Sequence, residues 1–297
     1  MSRAKTSPVK AMASTEAALP VAGQSPRDSS LNRLLAVIDL FSLAKPIWTG
    51  EEIANALSLS RATLYRYLQL LGTAGLVSPT GNGRYCLGPR IIELDRQIRL
   101  GDPLLVHATP VMEAFIQRFQ GILLLCTHYR DRVLGIHHVA SEPSIRFSMQ
   151  RGQPFPMFRS APSKVILAHL PPHQLKSLFL HENVAIREAG LGETWPVFRD
   201  ALKAIRTAGY FFAYGELDKE LIGLSAPIFR APGQIAGSLT TVMRKVRFRY
   251  DMLPDLTRMT LDAAGQINEK VCVEGPAESA TVTPLRTKVQ SRRRKTT

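Results

Sequence analysis

The sequence of 297 residues predicts an α+β protein with two folded domains. Between residues 31 and 73, apolar residues recur at three- and four-residue spacing in short stretches, which is the pattern of amphipathic helices. Beyond residue 120, apolar or β-branched runs alternate with helical stretches, as in an antiparallel sheet flanked by helices. These patterns predict a small helical domain followed by a larger mixed domain.

Composition places most of the chain among globular proteins. Hydrophobic residues make up 45% and charged residues 21%, which argues against a wholly disordered chain, a collagen or a long coiled coil. No apolar run approaches the roughly 18 residues that cross a bilayer, and no apolar stretch follows the basic N-terminus. The three cysteines are scattered along the chain. We therefore expect a cytoplasmic protein without a membrane segment or a disulfide framework.

The net charge of +14 arises from 38 Lys and Arg against 24 Asp and Glu. Residues 284–297 contain basic residues and no acidic ones, and we predict a disordered basic tail over 274–297. A basic surplus of this kind suits a polyanionic partner, although charge that serves only solubility gives the same composition.

Residues 1–29 are rich in Ala, Ser and Pro, and they are predicted to form a flexible leader. The first amphipathic stripe, over residues 31–41, predicts a helix that ends before Pro46. This helix opens a predicted domain over residues 30–89.

Two more helices follow in this domain. Thr49 and Glu52 form a capping box that begins a helix over residues 51–57. Ser60 is the predicted N-cap of a helix over residues 61–73, and two short strands around an Asn-Gly turn come after it. Three helices and a hairpin describe a winged helix-turn-helix, a motif that lays its second helix in the major groove of DNA.

The third helix has two distinct faces. At about 100° per residue, Leu68 and Leu71 fall within about 40° of Leu64. The side chains between about 100° and 200° from Leu64, which can face the DNA groove, are those of Ala62, Tyr65, Arg66 and Gln69. Small or polar residues at its start allow a close approach to the duplex, and Arg84 in the hairpin suits a phosphate or the minor groove. A helix-turn-helix used only for protein contacts is the alternative. The predicted DNA-binding residues are Thr49, Ser60, Arg61, Ala62, Thr63, Tyr65, Arg66, Gln69 and Arg84.

The second predicted domain covers residues 103–273, and a linker helix over residues 90–102 precedes it. Its predicted sheet begins with a hairpin over residues 121–139. Further helices are predicted over 103–119, 163–170, 172–180, 195–208 and 250–270, and further strands over 210–214, 221–229 and 234–243.

Six ordered segments resemble the IclR family of bacterial transcription regulators, over roughly residues 30–272. The first three are SLNRLLAVIDLF, EEIANALSLSRATLYRYLQLLGTAGLV and GRYCLGPRIIEL. The others are RGQPFPMFRSAPSKVILA, AGYFFAYGELDKELIGLSAPIF and GSLTTVMRKVRF. The resemblance implies an α+β protein in which a linker helix joins a winged helix-turn-helix to a GAF-like effector-binding domain. It also implies a homodimer or homotetramer that binds double-stranded operator DNA, with an affinity tuned by a small-molecule effector.

The chain departs from the family pattern at several positions. The family usually has Ser-Thr at Ala62 and Thr63, and Thr-Ala-x-Gly-Lys at residues 160–164. Small-acid-binding members have an acidic residue, a Cys and two Ser in the pocket, at positions that match Ala213, Gly223, Thr240 and Val242 in this chain. The resemblance therefore implies a less polar pocket that takes an aromatic or other apolar acid rather than pyruvate. A divergent pocket without a ligand is the alternative. The predicted effector-binding residues are Phe158, Ser160, Ala161, Ala213, Gly223, Thr240 and Val242, with Ser160 and Thr240 as orienting hydroxyls.

The sequence shows no convincing catalytic site. The spacing of His169, His173 and His181 invites a metal site, but a Pro-Pro pair interrupts the helix between the first two. Glu216 and Asp218 would share a face of an extended strand, as paired carboxylates do, yet no nucleophile or phosphate-binding loop accompanies them. We predict no catalytic residue, metal or cofactor. A hydrolase-like enzyme built on the second domain is the alternative function, and an architectural DNA binder that uses the Arg-rich tail is a third.

Overall fold

The computed structural model describes residues 29–129, 132–141 and 151–273. The predicted leader, except for Ser29, and the predicted basic tail at 274–297 lie outside these ranges. The chain divides into two compact units between Arg96 and Gln97, a point within the predicted linker helix at 90–102. Each unit has a hydrophobic core of its own.

Over residues 29–89, the first unit contains three helices and a small antiparallel sheet. Its elements are α1 (Ser30–Asp39), β1 (Trp48–Thr49), α2 (Gly50–Ala56), α3 (Arg61–Thr73), β2 (Val77–Gly81) and β3 (Arg84–Leu87). The strand order is β1-β3-β2, which adds a strand to the predicted hairpin. Strand β1 was not predicted, because two residues are too few to show an alternating pattern. The predicted winged helix-turn-helix is confirmed.

The core of the first unit forms where the three helices meet. Leu64, Leu68 and Leu71 of α3 are buried together with Val37 of α1 and Ile53 of α2. The helical wheel predicts this packing face, and burial of apolar side chains is the main force that holds the helices together.

The second unit is built on a six-stranded antiparallel sheet with helices on both faces. After α4 (Arg90–Gly101), which crosses the division between the units, the strand order is β6-β5-β4-β9-β8-β7. The elements are α5 (Pro103–Ile116), β4 (Ile122–Tyr129), β5 (Arg132–Ala140), β6 (Pro154–Phe155), α6 (Ala161–Ala168), α7 (Pro172–His181), α8 (Asn183–Glu188), α9 (Trp195–Ala208), β7 (Phe211–Tyr214), β8 (Leu221–Ala231), β9 (Gln234–Arg244) and α10 (Leu253–Val273).

Alternate residues of the central strands face two different cores. In β4, Leu123 and Leu125 pack against α5 and α10, whereas Leu124 and Cys126 pack against the cluster that contains α6 and α9. Successive side chains of a strand point to opposite faces, so a near-continuous apolar strand is expected in a sheet covered on both sides. Among the described helices, none is both long and apolar enough to pass through a membrane.

Several element boundaries differ from the predictions. Helix α6 begins at Ala161 rather than at residue 163, because Ser160 serves as its N-cap. Helix α10 begins at Leu253 rather than at residue 250, because residues Tyr250–Met252 form a 3-10 turn before it. Helix α8 and strand β6 were not predicted, since both are too short to show a clear period.

Candidate DNA interface and effector site

The start of α3 is fixed by two hydroxyl groups. The side-chain oxygen of Ser60 accepts a hydrogen bond from the backbone N–H of Thr63 at 3.3 Å, and the two hydroxyl oxygens lie 2.9 Å apart. Ser60 is exposed and Thr63 is half-buried. The two hydroxyls therefore belong to the cap of the helix, while the exposed Arg61 and Ala62 occupy its first turn.

The outer face of α3 carries the predicted DNA-reading side chains. Tyr65 is 61% exposed, and Arg66 and Gln69 are also exposed. The Arg66 guanidinium lies 5.6 Å from the ring centroid of Tyr67, a buried residue that was not assigned to the packing face from the sequence. A helix buried on one side and lined by Arg and Gln on the other can enter a major groove and donate hydrogen bonds to base edges.

Thr49 begins α2 with the predicted capping box. Its hydroxyl accepts from the backbone N–H of Glu52 at 3.2 Å, and its own N–H donates to the Glu52 carboxylate at 2.7 Å. Lys45 donates to the same carboxylate at 2.8 Å, and its ammonium lies 3.7 Å from the ring centroid of Trp48. The hydrogen bond from Lys45, followed by those from Thr49, lowers the pKa of Glu52 from 4.5 to about 2.

The hairpin between β2 and β3 has the geometry that its Asn-Gly sequence predicts. Asn82 and Gly83 have φ angles of 50° and 69°, so both are left-handed, as a type I′ turn requires. Arg84 follows the turn, is exposed, and pairs with Thr49 across β1 and β3. The predicted DNA-binding residues Thr49 and Arg84 are thus cross-strand neighbours.

In the second unit, four of the predicted effector-binding residues lie on one face of the sheet. Ala213, Gly223 and Val242 are in register across β7, β8 and β9. Thr240 lies two residues before Val242, so it faces the same side, and its hydroxyl donates to the Ser225 hydroxyl at 2.9 Å. These residues form a floor without a charged side chain.

The N-terminus of α6 covers this floor. A Cβ placed on Gly223 would lie 3.6 Å from the Ala161 Cβ and 3.7 Å from the Thr240 Cγ2, so the space between α6 and the sheet at this glycine is about one methyl group wide. Ser160 is 2% exposed, and its hydroxyl donates to the Ser163 hydroxyl at 2.8 Å. The hydroxyl protons of Ser160 and Thr240 are therefore donated to protein partners, and only acceptor capacity is left for the predicted orienting role.

Phe158, the remaining predicted effector-binding residue, is buried among the apolar side chains next to α6 and α9. It also lines a cavity of about 290 Å³ between residues 156–159 and the pair α7 and α8. The lining of this cavity does not include the other six predicted residues. Phe158 shares its buried cluster with Leu124, which pairs with Thr240 of the floor across β4 and β9.

A partly buried ion pair lies at the edge of the same floor. The Lys164 ammonium donates to both carboxylate oxygens of Glu216, at 2.8 and 2.9 Å, and lies 4.7 Å from the ring centroid of Phe211. The Lys164 side chain is 7% exposed and that of Glu216 is 29% exposed. No role was assigned to Lys164 from the sequence, although a lone charge beside the apolar run at 165–168 is a signal for a buried cation.

The carboxylates and histidines considered for catalysis do not form a shared site. Glu216 and Asp218 lie in the turn between β7 and β8 rather than on a strand, and Asp218 accepts from the backbone N–H of Glu220. Nδ1 of His169 contacts the Val165 carbonyl oxygen, and burial lowers the pKa of this histidine. Within the described ranges, no three potential ligands are grouped to hold a metal ion.

Comparison with known proteins identifies both units. The family model for the IclR helix-turn-helix domain matches residues 30–81, and the model for the C-terminal domain of bacterial IclR transcriptional regulators matches residues 102–269. The HTH-type transcriptional regulator KipR of Bacillus subtilis is 23% identical over 246 residues, which cover 82% of this chain and 98% of KipR.

Solved structures give the same result for the fold. An IclR transcriptional regulator from Alicyclobacillus acidocaldarius has a TM-score of 0.66 at 21% identity, covering 84% of this chain and 99% of its own. An IclR homologue from Microbacterium hydrocarbonoxydans, solved in complex with 4-hydroxybenzoate, has a TM-score of 0.64 at 20% identity. The match covers 82% of this chain and 100% of that homologue. The matching families and relatives are transcriptional regulators, so the enzyme alternative is not supported.

The predicted resemblance, fold class and function are confirmed by these matches. This chain belongs to the IclR family: it is a transcriptional regulator that binds DNA through an N-terminal helix-turn-helix domain and carries a C-terminal effector-binding domain that modulates this binding.

Proposed function

We propose that the exposed face of α3 reads operator DNA in the major groove while the β2–β3 hairpin contacts the DNA backbone. The observation that carries this proposal is the separation of the two faces of α3. Leu64 and Leu68 pack into the core, whereas Tyr65, Arg66 and Gln69 are exposed. Arg and Gln side chains discriminate guanine and adenine edges through paired hydrogen bonds, which gives this face sequence specificity.

A second group of residues sets the position of α3 on the duplex. The capped first turn of α3 presents backbone N–H groups to a phosphate, and small residues there allow the DNA backbone to approach closely. Contacts of this kind fix the register of a protein on DNA without reading its sequence. The residues assigned to this role are Thr49, Ser60, Arg61, Ala62, Thr63 and Arg84.

The test for this proposal combines Arg66→Ala with Gln69→Ala, on an operator selected from a random duplex library with the wild-type protein. Each base-edge pair that is removed takes away about 1 to 3 kcal/mol of discrimination, so specific binding falls while binding to a scrambled duplex changes much less. The control combines Gln174→Ala with Arg199→Ala, which removes the same residue types from exposed positions of the second unit. An unchanged footprint of the first double variant contradicts the proposal.

The effector site is proposed to lie between α6 and the sheet, and to take an organic acid with an apolar body. Ala213, Gly223 and Val242 offer no polar side chain, so a short acid would exchange its hydrogen bonds with water for apolar contacts. The similar protein from Microbacterium hydrocarbonoxydans was solved with 4-hydroxybenzoate, an aromatic acid of the expected kind. Phe158, Ser160, Ala161 and Thr240 complete the proposed lining.

Calorimetry tests this site by comparing pyruvate with benzoate and 4-hydroxybenzoate. Gly223→Ala fits the structure, because its Cβ makes ordinary contacts at 3.6 and 3.7 Å, but it narrows the space under α6. We expect it to weaken binding of the aromatic acids. Gly265→Ala in α10 is the matched control, since its Cβ meets nothing within 4 Å. Binding of pyruvate but not of the larger acids contradicts the proposed ligand class.

A symmetric homodimer or homotetramer in the cytoplasm is proposed as the active form. One recognition helix covers only a few base pairs, so specific affinity at physiological salt favours two units on half-sites about one helical turn apart. Leu31 and Leu35 of α1 are 70% and 54% exposed, and they offer apolar surface for such an assembly. Light scattering that shows a monomer both free and on an imperfectly palindromic operator contradicts this part of the proposal.

A further inference from the structure

The effector site proposed above leaves one requirement open, which is a partner for the negative charge of an acid. A carboxylate accepts hydrogen bonds and therefore needs donors. The hydroxyl protons of Ser160 and Thr240 are already donated to Ser163 and Ser225. Lys164 brings a positive charge to the border of this floor, where its partner is Glu216.

The Lys164 side chain borders the proposed effector site. It follows Ala161 by three residues on α6, so both side chains lie on the same side of the helix. Ala161 lies over Gly223, and the Lys164 ammonium lies over the ring of Phe211, which is two residues before Ala213 on the same face of β7. The ammonium therefore borders the apolar floor on which the ligand body would lie.

The two members of the ion pair differ in what each can do without the other. The Lys164 side chain is 7% exposed and extends from a buried helix, so its ammonium is largely shielded from water. The Glu216 side chain is 29% exposed and belongs to the turn between β7 and β8, so it can turn outward. A buried charge without a partner is strongly destabilising, whereas exchange of one carboxylate for another keeps the pairing.

We infer that a ligand carboxylate replaces Glu216 as the partner of Lys164, so that the effector is a carboxylic acid whose anionic end binds at Lys164. This inference rests on the proposed effector site. The Lys164–Glu216 ion pair then links α6 to the β7–β8 turn, and an acid breaks this ion pair by competing with Glu216 for Lys164. A neutral ligand of the same shape cannot break the ion pair, because displacement of Glu216 would leave the Lys164 ammonium without a charged partner.

The test compares 4-hydroxybenzoate with 4-hydroxybenzamide, which has nearly the same shape without the charge, by calorimetry on the full chain. Glu216→Gln removes the internal competitor. In the wild type, only the fraction of molecules in which Glu216 has left Lys164 can bind the acid, and this lowers the apparent affinity. We therefore expect the Glu216→Gln variant to bind the acid about tenfold tighter or more than the wild type does. Lys164→Met is expected to bind the acid about 10- to 100-fold more weakly, the loss in affinity that corresponds to one hydrogen bond to a charged group. Binding of the amide changes little in both variants.

Matched controls come from an exposed ion pair on α10. Arg258 and Asp255 lie 2.9 Å apart with side chains 68% and 75% exposed, and Asp255→Asn and Arg258→Met are expected to leave both affinities unchanged. If Glu216→Gln does not fold, the double variant Lys164→Met with Glu216→Gln removes both charges together. That protein is expected to bind the acid and the amide equally, and a retained preference for the acid overturns the inference.

The outcomes separate this inference from the proposed function. Equal binding of the acid to the wild type and to the Lys164 and Glu216 variants leaves the effector site in place but overturns the role of Lys164. Absence of acid binding to both the wild type and the Glu216→Gln protein also overturns the role of Lys164, because an ammonium without Glu216 should bind a ligand carboxylate. The proposed effector site falls only if none of the other acids in the calorimetric screen binds either.

Discussion

Leu64→Ala and Tyr65→Ala test the two faces of α3 with adjacent residues. Leu64 is 2% exposed in the core of the first unit, so its truncation leaves a cavity. We expect a decrease of about 2 to 5 kcal/mol in the free energy of unfolding of this unit. Tyr65 is 61% exposed. Its truncation should change the free energy of unfolding by about 0.5 kcal/mol or less, while it removes part of the proposed DNA-reading surface.

The two tryptophans allow each unit to be followed separately. Trp48 belongs to β1 of the first unit and Trp195 to α9 of the second, and the sequence contains no other tryptophan. In a Trp195→Phe background, urea unfolding followed by tryptophan fluorescence therefore reports the first unit alone. With a slope of about 1 to 3 kcal/mol per molar urea, a decrease of about 3 kcal/mol lowers the midpoint by about 1 M or more.

Operator affinity completes the comparison and must be measured at one fixed salt concentration. Tyr65→Ala should keep the urea midpoint of the Trp48 signal and bind the selected operator more weakly. Leu64→Ala should lower the midpoint. The assignment of the faces is refuted if the two variants are destabilised equally, or if Leu64→Ala leaves the Trp48 transition unchanged.

Three further predictions concern the ion pair of the first unit, the sheet of the second and the basic tail. Glu52→Gln should lower the stability of the first unit at neutral pH. The pKa of Glu52 is lowered from 4.5 to about 2, so the stability that ionised Glu52 contributes is present above pH 4.5 and disappears as the pH falls through 2. Acid unfolding of the wild type and of the Glu52→Gln variant measures this difference. Gly237→Ala should destabilise the second unit, seen by Trp195 fluorescence, because a Cβ there would overlap the Cys126 carbonyl oxygen. Truncation after Thr283 should flatten the salt dependence of DNA binding by up to about 0.9 for each phosphate that the tail neutralises, and an unchanged slope contradicts a role for the tail.

Features set by neighbours in sequence were predictable. The N-cap Ser60, the capping box of Thr49 and Glu52 and the Asn-Gly turn depend on residues within one turn of each other, and the structure has all three. The packing face of α3 was predictable for the same reason, because helical periodicity alone decides which side chains share a face.

Features set by distant parts of the chain were not predictable. Lys164 and Glu216 are 52 residues apart, and nothing between them in the sequence marks them as partners. The hydrogen bond between Thr240 and Ser225 depends on the register of β8 and β9, so it could not be foreseen that the Thr240 hydroxyl is no longer a donor for a ligand. Residue types in a family motif indicate where a site lies, whereas the partners already bound to those residues decide what the site can donate.

The distribution of charge changes the role expected for the basic surplus. Residues 29–96 contain seven basic and five acidic residues, so the DNA-binding unit is only slightly basic. One of the seven, Lys45, is held by Glu52, and the exposed cations of α3 and the hairpin are Arg61, Arg66 and Arg84. Each neutralised phosphate contributes about 0.9 to the salt slope, so these three give one unit a modest electrostatic affinity. The low charge favours a mechanism in which specificity comes from base contacts by paired units, with non-specific attraction supplied largely by the basic residues at 284–297.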